Sequence, residues 1–342
     1  MRNLKFILKR LGYSVFVLIG LSILIFIIAR IMPGDPARMA LGARAPEWVI
    51  EKLREEMHLN EPIYVQYYYW FKVAIKGDLG TSLVTKRPVT NDIKEFFPAT
   101  LELVIYTCFL MTIIGVTLGT FAGWRKNTWV DNLVRGISYI GIVTPSFVFA
   151  IFFMLIFGYV LDIFPTIGRL SPNLLPPTRV TGFITLDALL DRNLIVFFDA
   201  IKHIFLPAIS LMMGGIASSS RITRSSVTEN IGKDFIITFR SYRIPERVIM
   251  FKYLLKPSLI PTISVVGLSF AALLGNSFLV ELIFGWPGIA KYGMNAMLRK
   301  DLNALIAVVL IVGFIFILVN LMVDLMVCYL DPRINLKARS NY

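Results

Sequence analysis

Six uncharged stretches dominate this sequence: 11–29, 103–124, 136–161, 204–220, 257–280 and 302–323. A helix needs roughly 20 apolar residues to cross about 30 Å of hydrocarbon at 1.5 Å per residue, so each stretch is read as a membrane span. The fourth is the shortest, at 17 residues, and holds Pro207, Gly214, Gly215 and the serines 218–220. Small residues there imply close packing against other helices. With 56% hydrophobic and 17% charged residues, the composition is that of a polytopic membrane protein. The fold class that follows is an all-α membrane protein with six transmembrane helices and both termini in the cytoplasm.

Charge supports that orientation. The segments 1–10, 124–136, 218–258 and 331–342 hold 18 Lys/Arg against 5 Asp/Glu, whereas 31–98, 162–203 and 284–302 hold 16 against 14. Basic residues gather on the cytoplasmic side of spans, so the first set is placed inside. Topology thus accounts for the net charge of +13. No basic, aromatic-interleaved soluble domain is present for nucleic acid. The first span follows Arg2, Lys5, Lys9 and Arg10 but leads to Arg30-Ile31-Met32-Pro33 instead of a small-residue cleavage site, so it is read as retained.

The segmentation is therefore 1–30 as N-terminus and first span, 31–98 as an extracytoplasmic subdomain, 99–330 as a membrane core and 331–342 as a tail. Within the core the spans fall at about 99–124, 136–161, 204–220, 257–283 and 302–329, with a polar loop at 221–258. The outer segment opens with PGDP, whose Pro33 and Pro36 stop the first span. Two helices are expected in it, one from Pro46 with Trp48, Leu53 and Met57 along a face, and one from Pro62 rich in tyrosine. Such a segment either receives a partner or caps the bilayer, where aromatic rings favour the headgroup layer. The run LIVFF at 194–198 is too short to span and is expected to be interfacial or re-entrant.

Several chemistries lack their residues. There is no G-x-x-x-x-G-K-[ST], no G-x-S-x-G and no H-E-x-x-H. The histidines, His58 and His203, fall in separate segments, and Cys108 and Cys328 make no ligand cluster. No catalytic residue, metal site or resident cofactor is expected. Ionisable residues near spans are few. Glu102 and Arg30 are placed at span ends, free to snorkel, while Glu281, before the turn-rich FGWPG with Trp286 and Pro287, and Asp324 are candidates for a gate or for structural hydrogen bonds. Polar residues inside otherwise apolar spans, Thr144, Ser146, Ser269, Asn276 and Ser277, are candidates to line a path, although helix packing explains such residues equally well.

The loop 221–258 carries too many charges to cross lipid, yet it patterns as helix, corner, helix. From Asp234 the residues Phe235, Phe239 and Tyr242 recur at spacings of four and three. Pro245 then interrupts, and a second short helix is expected over 246–256 before Pro257 and Pro261. By pattern this is either an interfacial amphipathic helix or a docking element for a soluble partner.

Ordered motifs along the chain resemble one family. They are PGDP at 33–36, GDLGTSL at 77–83, PATLEL at 98–103, PSF at 145–147, KHIFLPA at 202–208, RITRSS at 221–226, VELIFGWPGIAKYG at 280–293 and NLMVDLMVCYLDPR at 320–333. The chain resembles the first permease subunit of binding-protein-dependent ABC importers of the dipeptide, oligopeptide and nickel group. The resemblance implies the type I importer permease (MetI-like) fold. It also implies a second homologous permease subunit, two ATPase subunits that bind ATP and Mg, and an extracytoplasmic solute-binding protein, all working in the lipid of the cell membrane.

Residues 234–243 match that family's EAA loop, whose short helix fits a groove of the ATPase. Asp234, Phe235, Thr238, Arg240 and Ile244 sit where the pattern expects them. Phe239, Ser241, Tyr242 and Arg243 replace the usual Ala, Ala, Lys and Gly, so the corner is expected to be built differently, with Pro245 helping to make it. Substrates implied are di- or oligopeptides, with oligosaccharides or nickel as alternatives on the same machinery. An ion-coupled carrier would call for more membrane acids or for paired broken helices with internal symmetry.

Overall fold

The computed structural model describes residues 2–31, 35–42 and 44–330. Met1, Met32, Ala43, the Pro33 and Gly34 of the PGDP motif and the expected tail at 331–342 lie outside the described residues. Two compact units emerge: Met1–Thr100 with Pro287–Ile317, and Leu101–Trp286 with Leu318–Tyr342.

The first unit contains α1 (Arg2–Ile31), α2 (Pro36–Leu41), α3 (Glu47–Glu56) and α4 (Ile63–Ala74). Pro46 and Pro62 sit one position before α3 and α4, as extended caps, where a missing amide hydrogen costs nothing. The face expected on α3 is rotated: Ile50 is fully buried and Trp48 is exposed. On α4, Tyr67 and Trp70 pack against Phe26 of α1, and the Tyr67 hydroxyl lies 2.8 Å from Ser22 Oγ. The unit also holds α13 (Ile289–Leu298). There Tyr292 donates to Asp92 Oδ2 at 2.9 Å, and its pKa is raised by burial and by that carboxylate.

The second unit is built around α9 (Leu194–Ile231), against which α5 (Val89–Trp124), α6 (Trp129–Val143) and α12 (Leu255–Ile283) close. Of α5, only the part from Leu101 belongs to this unit. Gly115, Gly119 and Gly123 recur every four residues on α5. A Cβ added to them would come within 1.9 Å of Ser219 Oγ, 2.5 Å of the Ser220 carbonyl and 2.8 Å of the Arg224 carbonyl, respectively. Helices approach this closely only where both faces are small, the packing used inside lipid, which offers no hydrophobic drive. Hydroxyls stitch the remaining faces. Ser138 and Ser220 meet at 3.0 Å, Thr223 and Thr262 at 2.9 Å, and Asn230 donates to Ser258 at 3.1 Å.

Among the described residues, five helices are long and apolar enough to cross a membrane, and one bent pair makes a possible sixth. That pair corrects the third span. The stretch 136–161 is not one straight helix: α6 ends at Val143, and α7 (Ser146–Phe153), continued by a π turn (Met154–Val160), leaves it at 104°. Pro145 lacks a donor and pushes Thr144 into the extended region, with ψ 122°.

The fourth span is longer than expected, and LIVFF is its opening instead of a re-entrant piece. The Asn193 side chain caps α9 by accepting from the Val196 amide at 3.2 Å. The serine run does not break the helix, because Ser219 donates back to the Gly215 carbonyl at 2.8 Å. The helix expected over 246–256 is not separate either. From α11 (Glu246–Val248) a π turn (Ile249–Leu254) leads without a gap into α12. The wider turn falls just before Pro257, which has no amide hydrogen for the ladder.

Gly119→Ala is expected to lower Tm in detergent, at a cost of about 1–3 kcal/mol for overpacking. Gly136→Ala, where nothing lies within 4 Å of the new methyl, should leave Tm unchanged or raise it.

Candidate functional site

The break between α6 and α7 opens onto a cavity of about 420 Å³, lined also by α9 and α12. Four of the five expected path residues meet there: Thr144 and Ser146 from the break, and Ser269 and Asn276 from α12. Ser277 does not. It is fully buried, and its hydroxyl donates to the Leu274 carbonyl at 2.9 Å. Ser218, which the sequence reading did not single out, joins the lining, as do Gly141, Gly214, Gly215 and Gly275. Glycine is needed behind the cavity wall, since a Cβ at Gly215 would strike Met111 Sδ at 1.9 Å. Among the described residues, no charged side chain lines the cavity. Its hydroxyls and one carboxamide can each donate and accept, so it can hold a polar solute without selecting its charge.

Three residues past α9 lies α10 (Asp234–Ser241). The structure corrects its expected face. Phe235 and Phe239 point inward, against a core of Val227, Ile236, Ile249 and Leu254 that also gathers Trp124, Ile231 and Ile244. The Phe239 ring lies 4.2 Å from that of Tyr253. The exposed face instead presents Asp234, Ile237, Thr238, Ser241 and Tyr242, with Tyr242 at 77% exposure. Periodicity alone grouped the three aromatics, because spacings of three and four cannot say which flank of a helix the core takes. Arg240 reaches across the corner to Glu246 at 2.9 Å and lies over the Trp124 ring at 5.7 Å.

The corner itself keeps the geometry that a glycine would give. Arg243 has φ 54°, its N–H donates to the Arg240 carbonyl at 2.9 Å, and the Ile244 N–H donates to Phe239 at 3.1 Å. Those two bonds define a Schellman cap, with Ile244 and Phe239 packed against the same apolar core. Arginine therefore occupies a left-handed position at a cost of roughly 1–2 kcal/mol. The expectation of a differently built corner is overturned; Pro245 follows the cap and opens α11. The end of α12 repeats the motif with the ordinary residue. Gly285 is at φ 58°, and the Trp286 N–H donates to the Glu281 carbonyl at 2.8 Å.

Around that second cap lies the group singled out as a gate. Glu281 is fully buried, and Trp286 is 1% exposed beneath the Arg169 guanidinium, 5.5 Å from its ring. Arg169 also pairs with Glu102 and donates to the Gly182 carbonyl at 3.0 Å. Glu102 accepts from the Thr185 amide at 2.9 Å as well, so it is a buried, paired carboxylate and does not snorkel. Nearby, burial acts to raise the pKa of Asp187. Hydrogen bonds from Thr181 and Gly182 outweigh it and hold the carboxyl below its usual range. Pro287 begins the second segment of the first unit, and Asp324 is half-buried on α14 (Leu302–Leu330).

A helical membrane bundle with an uncharged polar cavity, and a short surface helix seated on its core, defines a solute permease. The chain belongs to the binding-protein-dependent transport system inner membrane components: residues 115–336 match that family, and residues 3–104 match the N-terminal model of the same systems. It is 40% identical over 320 residues to the probable D,D-dipeptide transport system permease protein DdpB of Escherichia coli (strain K12), covering 94% of each chain. It is 38% identical to the dipeptide transport system permease protein DppB of Alkalihalophilus pseudofirmus, over 97% of this chain and 99% of that one. Identity to the glutathione transport system permease protein GsiC of Shigella flexneri is 30%, over 98% and 100%. The chain is thus a multi-pass inner-membrane transport subunit and not an enzyme, in a family that works with ATPase and binding-protein partners.

Two substitutions test this geometry through thermal stability. Glu102→Ala leaves Arg169 buried without its carboxylate and should cost about 3–5 kcal/mol. Arg243→Gly should raise Tm, because it relieves about 1 kcal/mol of backbone strain while keeping the cap.

Proposed function

We propose that this chain forms half of the translocation path of an ATP-driven importer of di- and oligopeptides. A second, homologous permease subunit supplies the other half, two ATPase subunits dock from the cytoplasm, and an extracytoplasmic binding protein delivers the solute. ATP and Mg bind the ATPase subunits, with no cofactor on this chain. The N- and C-termini face the cytoplasm, in keeping with the distribution of basic residues.

One observation carries this reading: α9 both lines the uncharged cavity and leads, at its C-terminal end, into the helix α10. Peptide bonds offer the donors and acceptors that Thr144, Ser146, Ser218, Ser269 and Asn276 complement. Among the described residues, the cavity lining offers no His, Cys or carboxylate to a nickel ion. Hydroxyl-rich sugars would also suit such a lining; the dipeptide and glutathione permeases among the relatives favour peptides.

In this reading Asp234, Ile237, Thr238, Ser241 and Tyr242 form the face that enters the ATPase groove. Phe235, Phe239, Arg240, Arg243 and Pro245 hold that face on the bundle. Moving a two-state path from 1:99 to 99:1 takes about 5.5 kcal/mol of differential interaction, which a helix seated in a core can deliver and a loose loop cannot. Trp286 closes the far end of α12 beneath Arg169, which Glu102 holds in place, and Glu281 is fully buried beside it.

The test separates the two faces of α10. The pair Ile237→Asp and Tyr242→Asp should abolish ATPase co-purification and peptide uptake in vesicles while leaving the Tm of the permease unchanged. Phe239→Asp should lower Tm itself. Normal co-purification and uptake in the exposed-face pair would refute the assignment.

A further inference from the structure

The tyrosine-rich helix α4 is tied to a membrane span at a depth that decides what surrounds it. The candidate span of α1, Gly12–Ile31, apolar but for Arg30, is 20 residues long, and at 1.5 Å per residue it covers about 30 Å, the thickness of the hydrocarbon. Ser22 is near its middle, about 13 Å before Ile31 along the axis. Yet the Ser22 hydroxyl meets the Tyr67 hydroxyl of α4 at 2.8 Å, and Phe26, one turn further on, packs against both Tyr67 and Trp70 with ring centroids 5.4 Å apart. A tyrosine side chain is shorter than the axial distance from Ser22 to Ile31. The backbone of α4 at Tyr67 is therefore level with the C-terminal half of the α1 span and not with its end.

The opposite half of α4 fits that placement. Tyr64, Tyr68 and Tyr69 are 75%, 60% and 43% exposed, beside Val73 at 45%. The single charge on the helix is Lys72, also exposed, whose long stem can carry its ammonium to the headgroups. Tyrosine and lysine are the residues that anchor helices at the boundary between acyl chains and headgroups. Being helical, α4 also satisfies its own backbone, as a segment at this depth must.

We propose that α4 is a leaflet-embedded helix whose Tyr64, Tyr68 and Tyr69 face contacts phospholipid, so that the segment following the first span is anchored in the bilayer and not held free of it. The partner is the lipid itself, at the level of the upper acyl chains and the glycerol backbone.

The experiment uses the complete transporter in phosphatidylcholine and phosphatidylglycerol nanodiscs. Nitroxide labels are placed singly at Tyr64→Cys and Tyr68→Cys on a Cys108→Ser, Cys328→Ser background. Collisions with oxygen should exceed collisions with a water-soluble nickel chelate severalfold at both positions, as at a control label on Phe16→Cys, which is 77% exposed on α1. Dominant nickel collisions would show the face in water, and low collisions with both reagents would show it covered by protein; either result overturns the proposal. In the unsubstituted protein, a phospholipid with a photoactivatable diazirine in its acyl chain should leave adducts on the peptide Ile63–Ala74. Their absence would also count against it.

Discussion

Close approach of helices to α9 is the condition on which the second unit depends. Lipid tails are as apolar as leucine, so burying more leucine gains little, and association must come from tight packing and hydrogen bonds. On α5, Gly115 and Gly119 meet Ser219, Ser220 and Thr223 of α9, and Gly123 meets Val227 and the Arg224 carbonyl. Other faces of the same helix are stitched by hydroxyl pairs to α6 and α12. Because small residues face both ways, α9 can be surrounded on several sides and still leave Gly214, Gly215 and Ser218 open to the cavity.

Mechanical consequences follow from this arrangement. Pro207 lies inside α9, but the stretch beyond it, from Leu211 at the cavity to Ile231, is continuous helix about 30 Å long. Three residues later α10 begins, and its inward aromatics are set in a core shared with the ends of α5 and α9 and with the π turn before α12. In the proposed cycle, a push on the exposed face of α10 would reach the helices that line the cavity through Phe235 and Phe239. The Schellman cap at Arg243 fixes the direction of the chain as it turns back into α12. The protein keeps this turn with a residue that pays a conformational penalty there, and His58, Arg192 and Lys300 hold comparable positive φ values elsewhere in the chain.

Much of this is legible in the sequence. Uncharged runs reveal spans because lipid forbids unpaired backbone, and of the five polar residues that stand out in apolar sequence, Thr144, Ser146, Ser269 and Asn276 line the cavity. Other features were hidden for physical reasons. A run of uncharged residues looks the same whether or not a proline bends it, so the 104° break at Thr144-Pro145 was not visible in composition. Glu102 looked like a span-end residue because its partner, Arg169, is 67 positions away in sequence. The glycine repeat on α5 is readable in the sequence as a small-xxx-small pattern. The orientation of α10 was not readable, since which flank is buried depends on Val227, Ile249 and Leu254 from other elements.

The account stands on α9, α10 and the cavity wall moving as one body. Its most direct test is the distance between spin labels at Val143, beside the break, and Ser241, on the exposed face of α10, measured by electron double resonance in the assembled transporter. The account predicts the same separation in the nucleotide-free and ATP-trapped states, while the distance from Val143 to the second permease subunit changes. A shift of several ångströms within this chain between the two states would contradict it.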